Sequence, residues 1–239
     1  MKNGRITEAI ILAGGFGSRL KHIVSDVPKP MAPVNGVPFL SFLFHKLILA
    51  GIEHVILSTG YLHEVIENFY GNAFESLRIT YSIEEQPLGT GGAILLGMNK
   101  TCTNNVLVLN GDTLFEIDFA KMAAYHLQKE SLLTIALREE DEVSRYGSVQ
   151  VDDSGKITAF AEKNQVQGKG LINGGIYMIN ASLFPGINMP EKFSFEKDVL
   201  EKFYHQINFY GLAFNSYFID IGVPEDYARA QHDFLQLKF

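Results

Sequence analysis

The sequence predicts an α/β fold in which a mostly parallel, mixed central sheet lies between two layers of helices. Up to about residue 112, apolar segments of strand length alternate with apolar-periodic segments of helix length, as in proteins with parallel sheets. The segment Val106–Leu109 is apolar throughout, which is typical of a strand covered on both faces. A cluster of glycines after the first apolar segment predicts a sharp turn at the end of that strand.

The predicted elements change order near the middle of the chain. In the first part, the helix over 38–51 ends at a glycine, a frequent helix terminator. The strands predicted there are 8–12, 53–58, 77–83 and 106–109, and the helices are 38–51, 61–70 and one that begins at Gly91. The second part is predicted to hold helices over 119–129 and 194–204, strands over 132–137, 147–151, 156–160 and 174–179, a strand pair within 209–221 that turns near Asn215 and Ser216, and a closing helix from Pro224.

Composition excludes several classes of protein. The 239 residues, 46% of them hydrophobic, suffice for a sizeable core and exclude general disorder. A formal net charge of −7 argues against a nucleic-acid-binding surface, and no apolar run approaches the roughly 20 residues of a membrane span. Few residues precede the first strand and Cys102 is the only cysteine, so we expect a cytoplasmic protein without signal peptide or internal disulfide. Since no linker or repeat divides the chain, we expect a single domain, 1–239.

The stretch 12–20, followed by Pro28-Lys29-Pro30, predicts a site for a polyphosphate. Three glycines within 14–17 leave room for a turn whose consecutive N–H groups can surround an anion. Arg19 adds a planar cation suited to phosphate oxygens, and Lys29 adds a compact cation between two prolines. Two better-known glycine loops do not fit, because the P-loop string is absent and a leucine stands where a dinucleotide fingerprint needs its third glycine.

Two aspartates in apolar surroundings predict a metal site. Asp112 closely follows the apolar strand 106–109, so we expect it at the carboxyl end of that strand, where open α/β sheets bind ligands. Asp220 lies within an apolar run, where a carboxylate is costly unless it is well paired or binds a cation. Together they can hold one Mg²⁺ through carboxylate oxygens, with phosphate and water completing the coordination.

The segment 84–93, Glu-Glu-Gln-Pro-Leu-Gly-Thr-Gly-Gly-Ala, predicts a loop that can recognise a nucleobase. Its glycines, Gly91 among them, allow a flat ring to lie against the backbone at the start of a helix. Guanine presents N1–H and an amino group as donors, so an acceptor such as Glu85 or the Gln86 carbonyl would suit it. The same residues can also adapt to another base, so the base stays open on this argument.

Together these motifs resemble the signature of the sugar-phosphate nucleotidyltransferases. The matching elements are Leu-x-Gly-Gly-x-Gly-Ser-Arg-Leu from Leu12, Pro28-Lys29-Pro30, the segment 84–93 and the late Asp220-Ile221-Gly222. Ser18 replaces the family's usual threonine and keeps its hydroxyl. The resemblance covers 12–226 and implies a Rossmann-like, GT-A-like fold, with 1–115 as the nucleotide-binding half. It implies that 116–239 is the sugar-phosphate-binding half, with a small β-containing lobe.

The resemblance also implies roles for individual residues. Arg19, Lys29, Asp112 and Asp220 would be catalytic, and the two aspartates would bind Mg²⁺. The residues implied for nucleotide binding are Leu12, Ala13, Gly14, Gly15, Gly17, Ser18, Arg19, Glu85, Gln86, Gly91 and Gly111, and those for sugar-phosphate binding are Tyr146, Gly147, Glu162, Lys163, Asn173 and Gly174. The segment 194–198 also matches the family, although capping of a helix by Ser194 explains it adequately.

Within this family the sequence is most similar to the D-glycero-α-D-manno-heptose 1-phosphate guanylyltransferases, at 26–31, 61–64, 87–93 and 218–222. That similarity implies transfer of GMP from GTP to the heptose 1-phosphate, for a bacterial surface glycan, by a monomer or homodimer. The alternatives are transfer to mannose 1-phosphate, synthesis of another nucleotide sugar, and a catalytically silent subunit that binds nucleotide sugars. The presence of all the expected charged site residues argues against the silent subunit.

Overall fold

Residues 5–15, 27–161 and 165–237, which a computed structural model describes, form the mixed α/β fold that the sequence predicts. The strands are β1 (Glu8–Leu12), β2 (Pro33–Val34), β3 (Val37–Pro38), β4 (His54–Thr59), β5 (Ala73–Phe74), β6 (Leu77–Ile83), β7 (Asn105–Asn110), β8 (Thr113–Phe115), β9 (Leu133–Glu140), β10 (Ser148–Val151), β11 (Ile157–Ala161), β12 (Gly170–Asn180), β13 (Phe209–Ala213) and β14 (Phe218–Asp220). The α-helices are α1 (Phe39–Leu49), α2 (His63–Tyr70), α3 (Gly89–Met98), α4 (Phe119–Gln128), α5 (Glu201–Phe203) and α6 (Pro224–Asp233). A 3-10 turn covers Lys29–Met31, another covers Ala181–Gly186, and a π-helical segment, Phe195–Leu200, runs into α5.

Ten of these strands form a single mixed sheet centred on β1. Strand β1 pairs in parallel with β4 on one side and with β7 on the other, and β6 extends the parallel part beyond β4. The short β5 closes that edge in antiparallel orientation. Parallel strands bring their carboxyl ends to one edge of a sheet, so the ends of β1, β6 and β7 lie on the same side of the molecule.

The second part of the chain joins the sheet through the long strand β12. It pairs in antiparallel orientation with β7, and along its length also with β9 and β10. The register of β12 against β9 shifts between Asn173 and Tyr177, at a β-bulge that contains two glycines. A bulge of this kind redirects side chains, and this one lies beside the cavity described below.

The expected strand pair within 209–221 is wrong in one respect, because its two strands do not pair with each other. Strand β13 lies in the main sheet, parallel to β9, whereas β14 pairs with β8 in a separate two-stranded ribbon. The sequence pattern identifies both apolar runs but not their partners, which lie far away in the chain.

Apolar side chains cover both faces of the sheet. From β1, Ala9 and Ile11 pack in one cluster with side chains of α1, α2, α4 and α6. Ile10 points to the other face and packs with α3 and the π-helical segment. This alternation confirms the predicted three-layer arrangement. Every helix of the described residues falls short of the length and apolarity that crossing a membrane requires.

Candidate active site

A cavity of about 470 Å³ opens at the carboxyl ends of the central parallel strands. Leu12 ends β1, Asn110 ends β7 and Glu84 follows β6, and all three side chains line the cavity. The lining residues are Leu12, Gly14, Gly15, Glu84, Pro87, Gly89, Thr90, Ala93, Asn110, Asp112, Thr113, Tyr146, Gly147, Phe160, Asn173, Gly174, Gly175, Tyr177, Ser194, Glu196, Phe218 and Asp220.

The two-stranded ribbon holds Asp112 beside Asp220. Strand β8 begins directly after Asp112, and Asp220 ends β14 opposite Thr113. The Ile221 N–H then donates to the Asp112 carbonyl at 3.0 Å, which fixes the two aspartates as neighbours. The Thr113 hydroxyl donates to Asp112 Oδ1 at 3.2 Å, and the Gly222 N–H donates to Asp220 Oδ1 at 2.7 Å. Two carboxylates distant in sequence therefore point into one end of the cavity.

The Lys29 ammonium lies between these carboxylates. It is in hydrogen-bond contact with Asp112 Oδ2 and lies 3.6 Å from Asp220 Oδ1. The Lys29 side chain is only 12% exposed, compared with 30% for Asp112 and 28% for Asp220. Because the 3-10 turn Lys29–Met31 and its prolines restrict the local backbone, the cation is held next to both acids.

Gly222 leaves the space that this arrangement needs. A Cβ at position 222 would lie 2.7 Å from Lys29 Nζ and 2.7 Å from Asp220 Oδ1. Gly222 is not among the site residues predicted from the sequence, although the Asp-x-Gly motif that it completes was the available signal.

The described part of the glycine turn is arranged around the ends of β1 and β7. Gly14 and Gly15 line the cavity. The N–H of Ala13 donates to the Ser58 carbonyl at 2.7 Å and that of Gly111 donates to the Leu12 carbonyl at 2.9 Å, so both extend the sheet rather than face a ligand. The other members of the predicted phosphate site, Gly17, Ser18 and Arg19, lie outside the described residues.

The acidic residue at the nucleotide end of the cavity is Glu84, one position before the predicted Glu85. Glu84 Oε2 accepts a hydrogen bond from the Leu88 N–H at 2.9 Å, and a Cβ on Gly14 would lie 2.8 Å from Oε1. No described residue donates to Oε1. Burial raises the pKa of Glu84, against a smaller opposite effect of the Leu88 N–H. Glu85 and Gln86 are exposed and do not line the cavity.

Gly91 packs inside the protein instead of on the cavity wall. A Cβ at position 91 would lie 2.2 Å from the Phe193 ring, and the Gly91 N–H donates to the Phe193 carbonyl at 3.0 Å. The flat group that this glycine accommodates is therefore a phenylalanine of the same chain.

The opposite wall of the cavity, called the acceptor wall below, contains four of the residues predicted to bind the sugar phosphate, the acceptor of the transferred group. They are Tyr146, Gly147, Asn173 and Gly174. Asn173 Oδ1 accepts from the Gly175 N–H at 3.0 Å, and its Nδ2 donates to the Tyr177 hydroxyl at 2.8 Å. Burial raises the pKa of the Tyr146 hydroxyl. Glu162 and Lys163, predicted for the same wall, lie outside the described residues.

Several cavity residues were not predicted as site residues, although most lie in the sequence motifs described above. Pro87, Gly89 and Thr90 belong to the segment 84–93, and Glu196 belongs to 194–198. Phe218 belongs to the matching segment 218–222, whereas Phe160 carries no sequence signal of its own, because an aromatic residue on an apolar strand usually belongs to the core.

The fold and this cavity, with its glycine turn, acid pair and lysine, define a protein that binds and transfers phosphorylated groups. The chain belongs to the nucleotidyl transferase family, whose profile matches residues 8–236. It is 50% identical to D-glycero-alpha-D-manno-heptose 1-phosphate guanylyltransferase of Aneurinibacillus thermoaerophilus, over 95% of this chain and 97% of the relative. The relative of the same name from Campylobacter jejuni is 46% identical, over 92% of this chain and 96% of its own length.

A solved structure has the same fold along almost the whole chain. HddC from Yersinia pseudotuberculosis, complexed with GMP-PN, is 38% identical and superposes with a TM-score of 0.84, covering 96% of this chain and 100% of that chain. The family assignment and the fold predicted from the sequence are both confirmed.

Proposed function

We propose that this protein transfers GMP from GTP to D-glycero-α-D-manno-heptose 1-phosphate, which yields GDP-heptose and pyrophosphate. The observation that carries the proposal is the meeting of Lys29, Asp112 and Asp220 at one end of a cavity that the glycine turn also lines. The choice of heptose 1-phosphate and of GTP rests on the names of the relatives that match nearly the full chain. The division into a nucleotide half, 1–115, and an acceptor half, 116–239, is part of this proposal.

In the proposed reaction an oxygen of the sugar 1-phosphate attacks the α-phosphorus of GTP. The new P–O bond forms as the bond from the α-phosphorus to the α,β-bridging oxygen breaks, and pyrophosphate leaves with that electron pair. The phosphate dianion is already a nucleophile, so no covalent enzyme intermediate is needed, and the protein contributes positioning and charge. Lys29 would hold the α-phosphate and the incoming phosphate, and Arg19 would hold the pyrophosphate.

The acid pair suits a divalent cation. Asp112 and Asp220 present hard oxygen ligands, and the ammonium already between them marks a position where positive charge is stabilised by both. Among the described residues no third acid, histidine or cysteine joins them, so phosphate and water oxygens would complete the coordination of Mg²⁺. When bound, Mg²⁺ would polarise the α-phosphoryl group and neutralise developing charge.

Glu84 supports guanine as the base. An ionised carboxylate only accepts hydrogen bonds, and one oxygen of Glu84 receives none from the described residues. Guanine presents two adjacent donors, N1–H and the 2-amino group, whereas the corresponding edges of adenine, cytosine and uracil combine donors with acceptors. We therefore assign base recognition to Glu84 in place of Glu85 and Gln86. Because the cytoplasm supplies GTP and sugar phosphates, we propose that the protein acts there; a monomeric or homodimeric state is part of the same proposal.

A pyrophosphate-release assay tests the proposal. The purified protein with Mg²⁺ is supplied with each of the four ribonucleoside triphosphates, together with heptose, mannose or glucose 1-phosphate. We expect the highest kcat/KM with GTP and the heptose 1-phosphate. A preference for mannose 1-phosphate would show that the proposed sugar is wrong, and a preference for UTP would show that the proposed base is wrong. Binding without release of pyrophosphate in any combination would contradict the proposal and favour a silent binding subunit.

A further inference from the structure

The loop that starts α3 is joined to the segment 191–196 by backbone hydrogen bonds. The Phe193 N–H donates to the Leu88 carbonyl at 2.9 Å, and the Gly91 N–H donates back to the Phe193 carbonyl. A Cβ at Gly89 or at Gly92 would lie 2.5 Å from a backbone oxygen of this segment. Gly89, Gly91 and Gly92 therefore let the stretch 84–92 approach this segment closely. This stretch comprises the turn after β6, with Glu84, and the first turn of α3, and it is called the loop 84–92 below.

Thr90 extends this junction to a charged side chain. Its hydroxyl accepts a hydrogen bond from the Phe195 N–H at 2.9 Å and donates one to Glu196 Oε2 at 2.6 Å. The Ser194 hydroxyl donates to the same oxygen at 3.1 Å. Both Thr90 and Glu196 line the cavity, and Glu196 lies in the π-helical segment, a conformation often found at functional sites.

The other oxygen of Glu196 connects to the acceptor wall. Glu196 Oε1 accepts from the Tyr177 hydroxyl at 3.3 Å, and that hydroxyl accepts from Asn173 Nδ2 at 2.8 Å. Asn173 is fixed at its own oxygen by the Gly175 N–H. A continuous chain of hydrogen bonds thus runs from Thr90, in the loop proposed to recognise the base, to Asn173, in the wall proposed to bind the sugar.

We propose that Thr90 and Glu196 are positioning residues that couple the nucleotide site to the acceptor site; this inference rests on the proposed function. Nucleotide bound against the loop 84–92 fixes Thr90, and Thr90 fixes the Glu196 carboxylate. Glu196 in turn holds Tyr177 and Asn173 in the orientation that receives the sugar hydroxyls. Each bond in this chain involves a carboxylate or an oriented amide, so a change at one end alters the geometry at the other.

Coupling of this kind is reciprocal and can be measured by binding. The dissociation constant of heptose 1-phosphate is determined by calorimetry, with Mg²⁺, in the absence and in the presence of saturating α,β-methylene GTP, whose α,β bridge cannot be cleaved in this reaction. In the wild type we expect acceptor affinity to rise about tenfold when the nucleotide is bound, within the usual range of such coupling. The nucleotide should bind more tightly by the same factor when the acceptor is present.

The informative variants change one hydrogen-bonding group of this chain at a time, at nearly constant side-chain shape. Thr90→Val keeps the side-chain volume and loses the hydroxyl, and Glu196→Gln loses the charge. In both we expect the ratio of the two acceptor dissociation constants to fall to within about twofold of one, whereas Thr90→Ser keeps the ratio. Thr101→Val, at the other end of α3, is the matched control, because its hydroxyl bonds only the local Met98 carbonyl. Circular dichroism and thermal unfolding identify any variant that does not fold.

A purely structural role for Thr90 and Glu196 would weaken acceptor binding equally with and without nucleotide and leave the ratio unchanged, which would overturn the inference. A ratio of one in the wild type would overturn it too. If Thr90→Val does not fold, Glu196→Gln decides the question, and a wild-type ratio in that variant would overturn the inference. Failure of the proposed function has a different signature, namely a wild type that releases no pyrophosphate from GTP and heptose 1-phosphate. In that case the inference is abandoned together with the proposed function on which it rests.

Discussion

Lys29 Nζ lies 3.6 Å from Asp220 Oδ1 while it contacts Asp112 on its other side. This contact places a cation where the proposed reaction also needs a divalent metal. A bound metal ion would therefore share one pair of carboxylates with the ammonium, and the charge balance of the site would depend on which of the two cations is held there.

Removing the Lys29 ammonium is expected to have opposite effects on catalysis and on metal binding. In Lys29→Met, kcat should fall on the order of 10²–10³-fold, because a preorganised charge on the reacting phosphates is lost. Mn²⁺, measured by electron paramagnetic resonance without nucleotide, should bind about tenfold more tightly or better, because no cation opposes it at the acid pair. Lys100→Met removes an exposed lysine and serves as the control. Unchanged Mn²⁺ affinity in Lys29→Met would show that the two cations do not share the carboxylates.

Glu84 should control the choice of base. Glu84→Gln replaces an acceptor-only group by one that also donates, so kcat/KM for GTP should fall about 10- to 100-fold. The preference for GTP over ITP should shrink as well, since inosine lacks the 2-amino group. Glu85→Gln, at the exposed neighbouring position, should leave both quantities unchanged. Loss of discrimination in Glu85→Gln but not in Glu84→Gln would reverse the assignment.

Gly222 should be required for activity more than for stability. In Gly222→Ala the new methyl group would lie 2.7 Å from both Lys29 Nζ and Asp220 Oδ1, so at least one of these two side chains must move and the observed Lys29–Asp220 arrangement is lost. We expect kcat to fall about tenfold or more, because a small displacement of one catalytic group can slow the reaction by that much. Gly186→Ala is the control, because a Cβ there meets nothing within 4 Å. Full activity of Gly222→Ala would mean that the observed Lys29 position is not needed in the reaction.

His126 should make stability depend on pH. Its Nδ1 lies 2.9 Å from the Thr134 hydroxyl and its Nε2 lies 3.2 Å from Asn105 Oδ1. Burial lowers the pKa of His126 to about 4. The unfolded chain, with a histidine pKa near 6.5, therefore binds more protons between pH 6.5 and 4, and the free energy of unfolding falls as pH decreases through that window.

The size of this effect is measurable by urea unfolding at a series of pH values. The contribution of His126 approaches roughly 1.4 kcal/mol per pH unit at most. His126→Gln should flatten the slope between pH 6.5 and 4, whereas His232→Gln, at an exposed histidine, should not. An identical slope in the wild type and in His126→Gln would contradict a neutral buried imidazole.

The sequence predicts the fold well, and the structure brings the two singled-out aspartates together, while their catalytic role stays a prediction. Apolar runs identify the strands, and Asp112 and Asp220 are conspicuous because each is an acid in apolar surroundings. The partners of β13 and β14 were not predictable, since apolar patterns do not specify which distant strand pairs with which.

The choice between adjacent side chains was also beyond the sequence. Glu84 and Glu85 are the same type of residue, so the sequence does not distinguish them. The path of the backbone after β6 brings the side chain of Glu84 close to Gly14. The glycines of the segment 84–93 predict a close approach, but the group that approaches Gly91 is Phe193 from a distant segment. Both the orientation of Glu84 and the partner of Gly91 therefore depend on long-range packing, which local sequence patterns do not specify.

The decisive measurement is the rate of pyrophosphate release by Asp220→Asn, compared with the wild type at saturating GTP, heptose 1-phosphate and Mg²⁺. This change keeps the shape of the side chain and the acceptor for the Gly222 N–H, and removes the negative charge beside Lys29. If Asp220 is catalytic, kcat should fall on the order of 10²–10³-fold in a protein that unfolds at nearly the wild-type temperature. A folded Asp220→Asn protein that releases pyrophosphate at the wild-type rate would contradict this catalytic role.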